Sequence, residues 1–154
     1  MNTKLHILEP YTNLLRIWNN EELRIAQKEL INIFSDNILD NKTYHQNLFF
    51  GEDWTVKTSA ISYGHDIEAS WLLYEAAEIL GDEFLLNKVR TLSLKIADVA
   101  TEGLEADGSM VYEKDRKHTD KERHWWVQAE AVVGFMYAYK NTKDIRYKEK
   151  AARL

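Results

Sequence analysis

His65 and Glu68 stand three residues apart in Ser62-Tyr-Gly-His65-Asp-Ile-Glu68-Ala-Ser-Trp71-Leu-Leu, the segment richest in reactive side chains. Residues at this spacing are neighbours on a helix surface, so an imidazole and a carboxylate share one face. A carboxylate on an imidazole fixes its tautomer and raises its basicity, which a general acid or base needs. A core histidine satisfied by a local hydrogen bond produces the same pattern. Gly64 permits close approach of a ligand or of backbone. The first turn of a buried helix also puts His65 at an end that long loops can cover.

Two other stretches repeat this placement at intervals of about 60 residues. His6-Ile-Leu-Glu9 has the same spacing, with Asn2 one turn earlier on the same face. Asn and His both donate and accept hydrogen bonds, so the pair suits sugar hydroxyls; it suits cap and core positions of a first helix equally. Trp125-Trp126-Val-Gln128, followed by Glu130, forms the third set. Adjacent helical residues point about 100° apart, so one of the two tryptophans faces the cavity. Glu130 lies in an apolar helix, where an unpaired carboxylate is costly. It therefore has a partner, either a structural neighbour or the site.

The elements that position these groups are helices. Periodicity predicts six, over residues 2–18, 20–39, 63–80, from Asp82 onward, 124–140, and from Asp144 to the chain end. Asn19 with Glu22 reads as a capping box, Gly81 as a C-cap, and Asp82 as an N-cap. The connections within pairs are short, at Asn19-Asn20, Gly81-Asp82 and Asn141-Thr142. The connections between pairs are long. They predict small β-hairpins or extended loops at 44–50 with 54–57, around Gly51, and at 109–113 after Asp107-Gly108. The second and fourth helices are amphipathic, whereas the third and fifth are apolar nearly all round, the mark of burial. Three helical hairpins with buried first members and amphipathic second members predict an all-α fold. It would form part of an (α/α)6 toroid, as one partial domain spanning 1–154 and open at both ends.

Composition excludes several classes. With 25 acidic against 20 basic residues, the net charge is −5, and no basic block offers a nucleic-acid or anionic-membrane surface. No segment approaches the roughly 20 apolar residues of a membrane helix, and no leader is visible in the first residues. Zero cysteines fit a cytoplasmic setting and exclude thiol ligands. No phosphate loop or zinc-like spacing occurs, so neither metal nor cofactor is expected. His118 falls in the charged run 114–123 and His124 directly after it, read as a solvated loop or lid.

Four stretches together resemble the N-acylglucosamine 2-epimerase superfamily, and most closely its cellobiose 2-epimerase branch. They are Asn2-Thr-Lys-Leu-His6-Ile-Leu-Glu9, Phe49-Phe-Gly-Glu-Asp-Trp54, Ser62 to Leu73, and Trp125-Trp-Val-Gln-Ala-Glu-Ala131. The resemblance implies cofactor-free epimerisation at C2 of a reducing-end sugar, with two histidines exchanging the proton through an enediolate. It matches His65 to one of these, Glu68 to the carboxylate that orients it, and Asn2, His6 and Trp126 to sugar contacts. Trp125 and Glu130 complete the candidate set. A monosaccharide isomerase, an epimerase of N-acylated sugars and a non-catalytic binding half-barrel are the competing readings.

The same resemblance implies a second histidine on a helix beyond Leu154 and a substrate arginine before Met1. The sequence therefore reads as the middle-to-late part of a barrel, and a half-ring has apolar flanks. Self-association and the lack of epimerase activity in the isolated chain are the expectations. Pro10 interrupts the first helix and forfeits its bond to residue 6.

Overall fold

Hydrophobic periodicity and end signals account for most of the architecture. The computed structural model describes residues 1–116 and 118–154, so of the charged run only Lys117 lies outside the described residues. Helix α1 spans Asn2–Leu15, α2 Glu21–Ile33, α3 Tyr63–Leu80, α4 Glu83–Ala100, α5 Trp125–Thr142 and α6 Ile145–Ala151. Three caps follow directly from side-chain chemistry. Asn20 accepts from the Leu23 N–H and Asp82 from the Leu85 N–H, each satisfying an orphan donor of a first turn. Gly81 closes α3 in the left-handed conformation, at φ 73°.

Several boundaries differ from expectation. Helix α1 stops at Leu15, and Ile17 and Trp18 just beyond it are exposed. The cap of α2 is Asn20, whose extended backbone leaves the expected Asn19–Glu22 box unformed. A π-helical turn, Phe34–Ile38, follows α2, and the wider turn brings Phe34, Ser35 and Ile38 inward together. The loop over 44–57 forms only isolated bridges, Leu39 with Gln46 and Phe50 with Val56. Tyr44 and Trp54 adopt left-handed backbone there, at φ 64° and 63°, which interrupts extended pairing. The expected hairpin at 109–113 is displaced into the charged run. The ordered strands are β1 Ile61–Ser62, β2 Glu113–Asp115 and β3 His118–Asp120, an antiparallel sheet in that order.

Helices α1, α3 and α5 lie side by side, each backed by the second member of its hairpin. Helix α3 is central and belongs to both apolar clusters. Leu72, Leu73, Ala76 and Leu80 pack with α1, α2 and α4, while Tyr63 and Ile67 pack with α5 and Met110. The α3–α5 seam depends on absent side chains. A Cβ on Gly64 would meet the Trp126 ring at 2.7 Å, and one on Gly134 would meet Ile67 at 2.7 Å. Pro10 does sit inside α1. Among the described residues no helix is long and apolar enough to cross a membrane.

Candidate active site

The first turns of α1, α3 and α5 open on one cavity of about 430 Å³. Asn2 and His6 come from α1, His65 and Glu68 from α3, Trp126 and Glu130 from α5, with Tyr112 from the segment before β2. Six of the seven expected site residues are thereby brought together. Trp125 is not: its ring is 81% exposed and points away from the cavity that Trp126 lines. The 100° step between helical neighbours separates the two, as expected for one of them.

The expected His65–Glu68 hydrogen bond is absent among the described residues. Ser62, the N-cap of α3, holds the histidine instead. Its Oγ lies 2.7 Å from His65 Nδ1 and accepts from the His65 backbone N–H at 3.5 Å. This arrangement resembles a capping box in which the third helical residue is a histidine. The bond fixes the ring and leaves Nε2 without a protein partner among the described residues. The ring packs on Trp126, with centroids 5.2 Å apart.

Charge is expensive in this pocket. Burial, reinforced by His6 and the N-terminal amine, lowers the His65 pKa to about 4, so the imidazole is neutral near pH 7. Burial, with Glu130 and Glu9 nearby, raises the Glu68 pKa to about 8, so much of it is a carboxylic acid at neutrality. Glu130 is also raised, chiefly by burial, although its bond from Trp71 opposes this. Trp71 Nε1 donates to Glu130 Oε2 at 2.7 Å, the partner its setting required.

Sequence reasoning missed Tyr112, Ser62 and Trp71. Tyr112 reaches the cavity because Ser62 pairs with Glu113 across β1 and β2. Gln128 also grips both backbone groups of Met110, through Met110 N–H to Oε1 at 2.9 Å and Nε2 to the Met110 carbonyl at 2.8 Å. The Tyr112 ring meets Trp126 edge-on at 5.8 Å. A serine three residues before a histidine at a helix start was the available signal for Ser62. No local signal marks Tyr112, whose placement is a long-range strand pairing. Elsewhere, Asp120, Glu122 and His124 bring three ligand atoms within 4.8 Å. They are near the surface, and the His124–Glu122 contact at 3.3 Å explains part of the proximity without an ion.

Three inward helix ends share one polar and aromatic cavity on a helical-hairpin scaffold. The family model N-acylglucosamine 2-epimerase (GlcNAc 2-epimerase) matches residues 1–154, and the chain belongs to that family. It is 52% identical over 146 residues to a cellobiose 2-epimerase of Bacteroides fragilis, covering 94% of this chain and 37% of that protein. It is 43% identical over 143 residues to one from Dictyoglomus turgidum, covering 93% of this chain and 37% of that protein. The solved cellobiose 2-epimerase of Bacillus thermoamylovorans superposes with a TM-score of 0.95 at 40% identity, over 99% of this chain and 39% of that one. The chain thus spans less than two-fifths of the length of the curated relatives named here. Three hairpins of an (α/α)6 toroid is the architecture these neighbours support.

Proposed function

We propose that the cavity is the proton-abstracting side of a C2 epimerase site for the reducing-end sugar of a β-1,4-linked disaccharide such as cellobiose, giving glucosyl-mannose. The observation that carries this reading is a neutral, oriented imidazole facing a cavity shared with a protonated carboxyl group and a tryptophan face. In the open-chain sugar, the C2–H bond breaks and its proton passes to His65, while the bonding electrons form an enediolate across C1 and C2. Return of a proton to the opposite face of C2 inverts that centre.

The neutral state of His65 suits this step, because an uncharged imidazole can accept a proton. A buried imidazolium is unfavourable until a negative charge forms beside it, and the enediolate is that charge. The stabilisation therefore grows in the transition state and not in the ground state. Glu68, held as an acid, donates towards the developing oxygen, with Asn2 and His6 as further donors. Trp126 offers an apolar face to the sugar ring, and Glu130 accepts from hydroxyls or from Trp71.

One imidazole serves one face, so the 154 residues alone are expected to bind sugar without inverting its C2 centre. Trp125, Val132, Val133 and Met136 form an exposed apolar stripe along α5, and self-association of the isolated chain through it is the companion expectation, read by sedimentation. The activity test is a chimera in which this chain replaces the matching stretch of the Bacteroides fragilis enzyme. Cellobiose, mannose and N-acetylglucosamine are offered in parallel in deuterated water. Label at C2 of the reducing glucose of cellobiose, lost in His65→Ala, is the expected result. Label in mannose or N-acetylglucosamine alone would move the assignment to an isomerase or an N-acyl epimerase. A folded chimera that labels none of the three would refute it.

A further inference from the structure

Asp66 follows His65 and is fully buried, yet it does not line the cavity. Both of its carboxylate oxygens are occupied. Oδ2 lies 2.7 Å from Nδ1 of the buried His45, and Oδ1 accepts from the Gln46 backbone N–H at 2.9 Å. The Gln46 side-chain amide adds a longer contact to Oδ1 at 3.5 Å and donates to the His65 carbonyl at 2.6 Å. Residues 45 and 46 therefore grip the turn that carries His65 through both its backbone and its neighbouring carboxylate.

The gripping segment is itself anchored. The Asp40 N–H donates to the His45 carbonyl at 2.9 Å, and the Asp40 carboxylate accepts from the N–H groups of Lys42 and Thr43. Asn47 binds the Ile38 carbonyl through its backbone and its side chain. The Leu48 carbonyl accepts from the Met1 amine at 3.1 Å, immediately before Asn2. One short segment thus touches the start of α3 and the start of α1, two neighbouring helix ends that both line the cavity.

We propose that His45 and Asp66 are positioning residues, which fix His65 relative to the Asn2–His6 turn through Gln46 and Leu48 without touching the ligand. Burial disfavours a charge on His45, but Asp66, with Glu102 Oε2 3.6 Å from Nε2, outweighs this and raises its pKa. Burial raises the Asp66 pKa as well, and the bond between the two is short and buried, the kind that holds geometry. Sites of this type tolerate errors of only about 0.5 Å. The value of the clamp for function rests on the sugar-site reading, whereas its geometry does not.

The test uses the isotope-labelled chain, with the ring nitrogen spectrum of His65 and calorimetric titration of cellobiose as its two readouts. His45→Ala is expected to shift and broaden the His65 ring signals and to weaken cellobiose binding about tenfold, the scale of a small misplacement. His45→Asn, whose amide nitrogen falls where Nδ1 stood, should restore both to within about twofold. Gln46→Ala, which removes only the grip on the His65 carbonyl, should disturb the ring signals in the same direction. Wild-type ring signals in a folded His45→Ala protein that has only a lower Tm would overturn the proposal. If His45→Ala does not fold, wild-type ring signals in Gln46→Ala overturn it instead. Absence of cellobiose binding by the unmutated chain would count against the sugar reading alone, because the ring spectrum still decides the clamp.

Discussion

His6-Ile-Leu-Glu9 and His65-Asp-Ile-Glu68 are the same pattern on paper and different objects in space. The α3 turn is buried, capped by Ser62, gripped by His45 and Gln46, and overlaid by Trp126. The α1 turn has no side-chain cap; His6 and Glu9 are exposed, and among the described residues the one hydrogen bond tying its start to another segment is that from the Met1 amine. The spacing of imidazole and carboxylate therefore does not confer chemistry by itself. The surroundings of α3 hold one imidazole neutral near pH 7 and raise the pKa of one carboxyl to about 8, while those of α1 leave His6 and Glu9 exposed.

The largest expected effect that sharpens this contrast is Asp66→Ala. It leaves a buried His45 and the Gln46 N–H without their acceptor, and should cost about 3 kcal/mol in urea unfolding. Glu9→Ala, at the exposed counterpart, should stay within about 0.5 kcal/mol. Equal losses at the two positions would erase the distinction between the turns.

Gly64→Ala comes next. The added methyl would meet the rings and methyls of Trp126 and Val127 below 3 Å, so an overpacking cost of about 2 kcal/mol is expected. Loss of the His65–Trp126 contact should accompany it, visible as a change in tryptophan fluorescence.

The smallest effect is a pH slope. Glu68 has a folded pKa raised to about 8, so between its unfolded value and pH 8 the folded state holds more protons and stability falls as pH rises. His65, lowered to about 4, works in the other direction, and its contribution is lost as pH falls from about 6.5 to 4. The two oppose each other below pH 6.5, while above it Glu68 and His45, whose pKa is also raised, both lower stability as pH rises. Unfolding measured from pH 6.5 to 8 should show a decline of about 1 to 2 kcal/mol that Glu68→Gln reduces, leaving the part due to His45. A slope unchanged in that variant would break the assignment of Glu68 as the proton holder.

Much of the scaffold was legible because it is local. Helical periodicity, the Gly81 and Asp82 caps and the buried character of α3 all arise from neighbouring residues, and they led to six helices in three hairpins. The shared cavity of Asn2, His6, His65, Glu68, Trp126 and Glu130 followed from the repeat of about 60 residues. The illegible parts are those in which distant segments decide. Ser62 displaced Glu68 as the partner of His65 because the N-cap oxygen is closer to the ring. Tyr112 enters through a strand register, and the sheet forms in a run whose charges suggested only a solvated loop. Left-handed backbone at Tyr44 and Trp54, which no residue type announced, confines the hairpin or extended loop expected over 44–57 to a short pairing of Phe49–Gly51 with Thr55–Lys57.

The hairpin layout also has a kinetic consequence. The α3–α4 and α5–α6 pairs are closed by connections of a few residues, so their contacts carry little loop-closure entropy and can form early. The cavity has no such advantage. It needs Met1 against Leu48, His45 against Asp66 and Trp71 against Glu130, separations of 47, 21 and 59 residues. Helical signal should therefore return on refolding before the tryptophan environment of the pocket does, leaving an interval in which the hairpins are built but the histidine has no site to serve.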